Sequence, residues 1–167
     1  PEATEVIVCM GSGARTIEHT IDHFNARGHK LGLVELHLFR PFPTAEVVKA
    51  IPETARTVAV LDRTKEPGSN GEPLFLDVLA ALSEAHSRGT RNSMPIVSGG
   101  RYGISSKEFT PGMVAGIVAE LELESPRPRF TIGIDDDVTG ISLPWEPLDI
   151  EDPTTIRAVF YGMGSDG

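Results

Sequence analysis

Apolar residues gather along this chain in short runs, separated by polar stretches rich in glycine and proline. Val6-Ile7-Val8-Cys9-Met10 is a continuous apolar run ending at Gly11, which predicts a strand covered on both faces. Beyond the Gly11-Ser12-Gly13 turn, Ile17, Thr20, Ile21 and Phe24 recur at helical spacing and line one face. Gly28 supplies a left-handed stop to that helix. Residues 33–39 alternate with a period near two, Val34, Leu36 and Leu38 against Glu35, His37 and Phe39, as a strand does. Arg40-Pro41-Phe42-Pro43 breaks it. Thr44 is expected as the N-cap of a short helix carrying Val47, Val48 and Ile51, closed by Pro52. Residues 57–61 form a third apolar run, and the polar loop 62–71 follows. Pro73 suits a first helical position, ahead of the stripe Phe75, Val78, Leu79 and Leu82.

Residues 86–94 are polar and read as a surface loop. Ile96-Val97-Ser98 predicts a short fourth strand running into Gly99-Gly100. Ser105 and Glu108 have capping-box spacing, but Thr110-Pro111 is the better helix start, because Val114, Ile117, Val118 and Leu121 follow it. Pro126 and Pro128 end that segment, and residues 130–132 read as an edge strand. Residues 135–152 are loop-like, and residues 156–161 read as a new strand stopped by a glycine-rich run. Strand and helix thus alternate about four times, which implies an α/β fold: a largely parallel sheet with helices on both faces and right-handed crossovers. The last strand enters a glycine-rich turn with no helix after it. Residues 1–153 are therefore expected to be one domain, and residues 154–167 the truncated start of the next.

A length of 167 residues, with 40% apolar and 23% charged, is ordinary for one globular domain. The apolar runs, about five or six residues long, are far short of the ~20 that span a bilayer. The formal charge of -9, from 24 acidic and 15 basic residues, disfavours nucleic-acid backbones and anionic membranes as partners. The single cysteine, Cys9, excludes an internal disulfide, a zinc ribbon and an iron–sulfur cluster held by this chain alone. Cys9 is expected to be a buried small apolar residue in its strand. A reducing cytoplasm fits this, as does a polar, acidic start with no signal peptide. The chain opens on Pro1 without an initiator Met, which reads as a processed or cut N-terminus.

Gly11-x-Gly13 between a strand and a helix has the start of a dinucleotide fingerprint, but Thr16 stands where the third glycine belongs, and Glu35 lies inside the second strand rather than at its end. A tight turn needing glycine's backbone freedom explains it better. His19 and His23 are four apart, yet Thr20 breaks the metalloprotease pattern and both lie opposite the apolar stripe, so they are expected to face solvent. Asp135-Asp136-Asp137 lacks calcium-loop spacing and reads as a solvated acidic loop. No nucleophile–base arrangement or carboxylate pair is defined by spacing. Three basic segments do end strands: Arg40, then Arg63 with Lys65, then Arg101. In open α/β sheets ligands bind at the carboxyl ends of parallel strands. Arg40, Arg63, Lys65 and Arg101 would then gather on one rim of an acidic domain, as an anion-binding or interface site. Local ion pairing with Asp62, Glu66 and Glu108 is the competing reading.

Several stretches read together carry a family resemblance: residues 8–14 (VCMGSGA), 38–43 (LFRPFP), 59–68 (AVLDRTKEPG), 71–74 (GEPL), 99–111 (GGRYGISSKEFTP) and 133–139 (GIDDDVT). The set resembles the second core domain of the pyruvate:ferredoxin (flavodoxin) oxidoreductases, over almost the whole chain. The tail 160–167 (FYGMGSDG) resembles the opening of the third domain of those enzymes. The resemblance implies a transketolase C-terminal-domain-like fold: three layers, α/β/α, with about five strands, mostly parallel, and one antiparallel edge strand. It implies a parent enzyme, itself expected to be a homodimer, that converts pyruvate and coenzyme A to acetyl-CoA and CO2. That enzyme would use thiamine diphosphate with Mg2+ and [4Fe-4S] clusters, and pass electrons to ferredoxin or flavodoxin. It also implies that these cofactors are held by other domains of the same polypeptide. The present chain would then be an inactive scaffold on its own, binding no cofactor or metal, with no catalytic residue. The alternative is that the rim Arg40, Arg63, Lys65 and Arg101 contributes to coenzyme A binding.

Overall fold

A computed structural model describes residues 2–135, 138–152, 154–156, 158–162 and 164. Five strands, β1 (Glu5–Met10), β2 (Leu31–Leu36), β3 (Thr57–Asp62), β4 (Ile96–Tyr102) and β5 (Arg129–Ile132), alternate with α1 (Gly13–Asn25), α2 (Thr44–Ala50), α3 (Pro73–Ser87) and α4 (Pro111–Leu121). The strands form one sheet in the order β2-β1-β3-β4-β5.

Every pairing is parallel. The antiparallel edge strand implied by the resemblance is therefore absent from this sheet. The connections give the reason: both edge strands are reached through a helix, α1 before β2 and α4 before β5. A helical crossover returns the chain to the starting end of the sheet, which makes the next strand parallel. Ser142, beyond β5, makes an isolated bridge to Thr131, and it too is parallel.

Alternation along the central strands divides the core into two layers. Ile7, Cys9, Ala59 and Leu61 pack with Ile17 and Ile21 of α1 and Val114, Ile117 and Leu121 of α4. Val6, Val8, Val58 and Val60 pack with Val47 of α2 and Leu74, Phe75, Val78 and Leu82 of α3. β3 is buried along its whole length, as a central strand covered on both faces must be. Cys9 is fully buried, and burial, the largest cause, pushes its thiol up to about 12, with the Glu35 carboxylate adding to the rise.

Element boundaries differ from the sequence pattern where neighbours decide them. β2 runs over Leu31–Leu36 rather than 33–39, because β1 offers partners only from Glu5, opposite Leu31, to Met10, opposite Leu36. Thr44 is the first residue of α2, not its cap; the cap position falls on Pro43. Gly28 does take a left-handed conformation, with φ +98°, a short turn beyond the end of α1. Thr110 caps α4 as expected, its hydroxyl accepting from the Met113 amide at 3.4 Å.

β4 continues through Gly99 and Gly100 to Tyr102. Glycine weakens a strand unless something needs the room. Here a Cβ on Gly100 would lie 2.4 Å from the Phe130 ring, and one on Gly99 would lie 2.9 Å from the Phe75 ring. The two glycines let aromatic rings press onto opposite faces of the strand. The expected strand at 156–161 does not form among the described residues there. Arg157 and the later Met163, Ser165, Asp166 and Gly167 lie outside the described residues, as do Asp136 and Asp137 of the acidic run.

Candidate functional site

The sheet order reverses direction between β1 and β3, and the crevice above their carboxyl ends is where a doubly wound sheet most often takes a ligand. In this chain it is filled. The Tyr102 side chain, 1% exposed, reaches from the end of β4 to the start of α1, where a Cβ on Gly13 would come within 2.5 Å of its Oη. Gly13 thus serves close packing against Tyr102, not the approach of a pyrophosphate. Tyr102 Oη is buried with no hydrogen-bond partner among the described residues, and burial pushes the phenol up to about 12.

At the end of β3, Asp62 is buried and accepts from the amides of Leu74 at 3.0 Å and Phe75 at 3.1 Å. These N–H groups are orphans of the first turn of α3, so a carboxylate from a neighbouring strand caps that helix. Burial nevertheless raises the Asp62 carboxyl above its ordinary value, outweighing the two amide bonds that lower it. Asp62→Ala is expected to cost about 1–2 kcal/mol, the usual loss on removing a cap. A raised carboxyl means that the folded chain holds the proton more tightly than the unfolded chain. This contribution to stability is full below the ordinary value of 3.8 and is lost as pH rises through the folded value. Urea unfolding of Asp62→Asn across that acid window should show a flatter dependence on pH than the parent chain.

The four rim residues separate into two groups. Arg40 donates to Asp77 Oδ2 at 2.7 Å and lies 3.9 Å over the Phe39 ring. Arg63 donates to the Gly103 carbonyl at 3.1 Å and lies 5.6 Å from the Tyr102 ring. Both are tied to groups of their own chain. Lys65 and Arg101 together line two clefts of about 290 and 270 Å3, and Arg101 also pairs with a carboxylate of its own chain. Among the described residues, the carboxylates that pair with the rim are Asp77, for Arg40, and Glu72, 3.7 Å from Arg101. They are not the expected Asp62, whose oxygens are taken by the α3 amides, nor Glu66 or Glu108.

Two basic residues of the clefts were not anticipated. Lys107 lines the smaller cleft and Arg129 the larger. Arg129 opens β5 rather than ending it, so a search of strand ends passes over it; its guanidinium lies 3.8 Å from the Phe75 ring and donates to the Asn70 carbonyl at 2.5 Å. Burial pulls its affinity for its proton below the ordinary value. Lys107 sits in the loop after β4, where the run of residues 99–111 could have pointed to it.

His19 is exposed and His23 half-buried on α1. Among the described residues no three His, Cys, Asp or Glu side chains converge as metal ligands. No described helix is long and apolar enough to cross a membrane.

Residues 3–103 match the family model described as pyruvate:ferredoxin oxidoreductase core domain II. Over its full length the chain is 51% identical to the pyruvate-flavodoxin oxidoreductase of Trichormus variabilis and 49% identical to the probable pyruvate-flavodoxin oxidoreductase of Escherichia coli. It is 46% identical, again over its full length, to the pyruvate:ferredoxin oxidoreductase of Moorella thermoacetica. In each case it spans 14% of the length of the relative. The sheet architecture, the long motifs ending β3 and β4, and the match over residues 3–103 agree: the chain belongs to the pyruvate:ferredoxin oxidoreductase core domain II family.

Proposed function

We propose that this chain is a structural and interface domain of a thiamine-diphosphate-dependent pyruvate:ferredoxin (flavodoxin) oxidoreductase. The parent enzyme oxidises pyruvate and coenzyme A to acetyl-CoA and CO2 and passes the two electrons to ferredoxin or flavodoxin. The observation that carries this reading is identity near 50% along the whole chain to enzymes bearing those names. The chain's own donor set supports a scaffold role. A [4Fe-4S] cluster takes four thiolates, and the lone Cys9 is sealed in the sheet. The clusters, thiamine diphosphate and Mg2+ are thus assigned to other domains of the longer protein, which works in the reducing cytoplasm and pairs with a second copy. Arg40 and Arg63, tied to Asp77 and Gly103, are assigned to shaping the surface that meets those domains.

The tail is read as the start of the following domain. Ile156 is 91% exposed and Tyr161 94%, an apolar segment that the described residues leave uncovered. The full-length protein should reduce flavodoxin or ferredoxin only when pyruvate and coenzyme A are both supplied, while residues 1–153 alone should be inactive. Full-length protein that turns over without coenzyme A, or that ignores pyruvate, would overturn this assignment.

A further inference from the structure

The two clefts that share Lys65 and Arg101 form a basic pocket on a domain of net charge -9, and we propose that this pocket binds a phosphoanhydride, a ligand with two linked phosphates. The larger cleft is walled by Lys65, Arg101 and Arg129 with the loop 66–72, the smaller by Lys65, Arg101, Lys107, Ser105 and Thr131. Three cations therefore face each cleft, supplied by separate loops and by β4 and β5. Among the described residues, the carboxylates alongside are Glu66 and Glu72 in one cleft and Asp135 in the other, and Glu72 lies 3.7 Å from Arg101.

Two features favour phosphate over a carboxylate. A carboxylate carries one charge in one plane and is best matched by a single arginine fork. A phosphate carries more charge on oxygens pointing several ways, which suits lysine point charges arriving from different directions together with a hydroxyl. Lys65, Lys107 and Ser105 supply that set. The backbone beside the cleft is also unusual. Gly103, Ser105 and Ser106 all have positive φ, near +60°. Successive serines in the left-handed region are costly, and such strain concentrates where a loop holds a ligand. Two clefts with a shared pair of cations fit two phosphates joined through one bridging oxygen. This proposal does not depend on the reaction of the parent enzyme, because its readout is binding to the chain itself.

The sheet is covered on both faces by the chain's own helices, so the 167-residue chain serves for the test. Pyrophosphate titrated into the 15N-labelled chain should shift the amide signals of Lys65, Arg101, Ser105 and Lys107 together. Lys65 and Lys107 are exposed, so replacing both with alanine leaves the core intact. That double variant should bind at least tenfold more weakly, and Arg40→Ala should bind as the parent chain does. Acetate at equal ionic strength should compete poorly, and orthophosphate should bind more weakly than pyrophosphate. Shifts spread over Lys30, Lys49 and other surface cations would overturn the proposal. So would unchanged binding by the double variant, acetate competing equally, or orthophosphate matching pyrophosphate, since one phosphate occupies only one cleft.

Discussion

Arg91→Ala is expected to be the most damaging single substitution in this domain, lowering the free energy of unfolding by about 3–5 kcal/mol. Arg91 is 2% exposed, although it lies in a stretch whose polarity reads as a surface loop. Its guanidinium donates to the carbonyls of Ile51 at 2.7 Å, Pro52 at 2.8 Å and Ser93 at 2.7 Å, with a longer contact to Val48 at 3.4 Å. Those of Val48, Ile51 and Pro52 belong to the last turn and exit of α2, the negative end of that helix. Arg91 therefore closes a helix terminus from the far side of the α2–α3 cleft. Alanine would strand the buried Ile51 carbonyl, at about 1–3 kcal/mol for an unpaired buried group, and remove the donor from the half-buried carbonyls of Pro52, Ser93 and Val48. At about 2–4 °C per kcal/mol for a domain of this size, the melting temperature should fall by roughly 10 °C. Arg91→Lys should recover only part of the loss, because one ammonium cannot serve carbonyls on opposite sides. A thermal shift of Arg91→Ala under 2 °C would show that the α2 terminus is satisfied without it.

The second large effect is expected at Gly112. In α4, Gly112 and Gly116 stand one turn apart and face the segment 144–148, which crosses the helix with its backbone in contact. A Cβ on Gly112 would lie 2.1 Å from the Glu146 carbonyl oxygen, and one on Gly116 would lie 2.8 Å from that of Pro144. Alanine gains about 1 kcal/mol over glycine in a helix interior, an upper bound for Gly112, the second residue of α4. Here the steric term wins, because the obstacle is backbone and not a side-chain tip that can turn aside. Gly112→Ala is expected to cost about 2–3 kcal/mol net. Its signature should be local: faster hydrogen exchange and proteolysis across 144–148, with the central strands still protected. Stabilisation of Gly112→Ala would mean that the strap does not lie against α4.

Hydrophobic periodicity revealed most of the fold because the sheet is buried on both faces. Each central strand is then a plain apolar run, and each helix a stripe, so β1, β3, α1, α3 and α4 are legible from the order of apolar and polar residues. What failed was set by neighbours. The length of β2 depends on where β1 ends, and Gly99 and Gly100 look like a turn until Phe75 and Phe130 are seen to need their space. Arg91 reads as surface because the carbonyls at the end of α2 that receive it are about 40 residues away. No spacing rule separates Lys65 and Arg101, which line the clefts, from Arg40 and Arg63, whose partners Asp77 and Gly103 belong to other elements.

The position of Cys9 gives this domain an internal clock. Alkylating reagents attack the thiolate, and the thiol of Cys9 is both fully enclosed by the sheet and pushed up to about 12. Because it is the only cysteine, a modified chain is one whose central layers have come apart. The rate at which that single sulfur is captured, in a dilute solution or within the assembled enzyme, therefore measures how often the domain opens. It also measures how far its neighbours slow that opening.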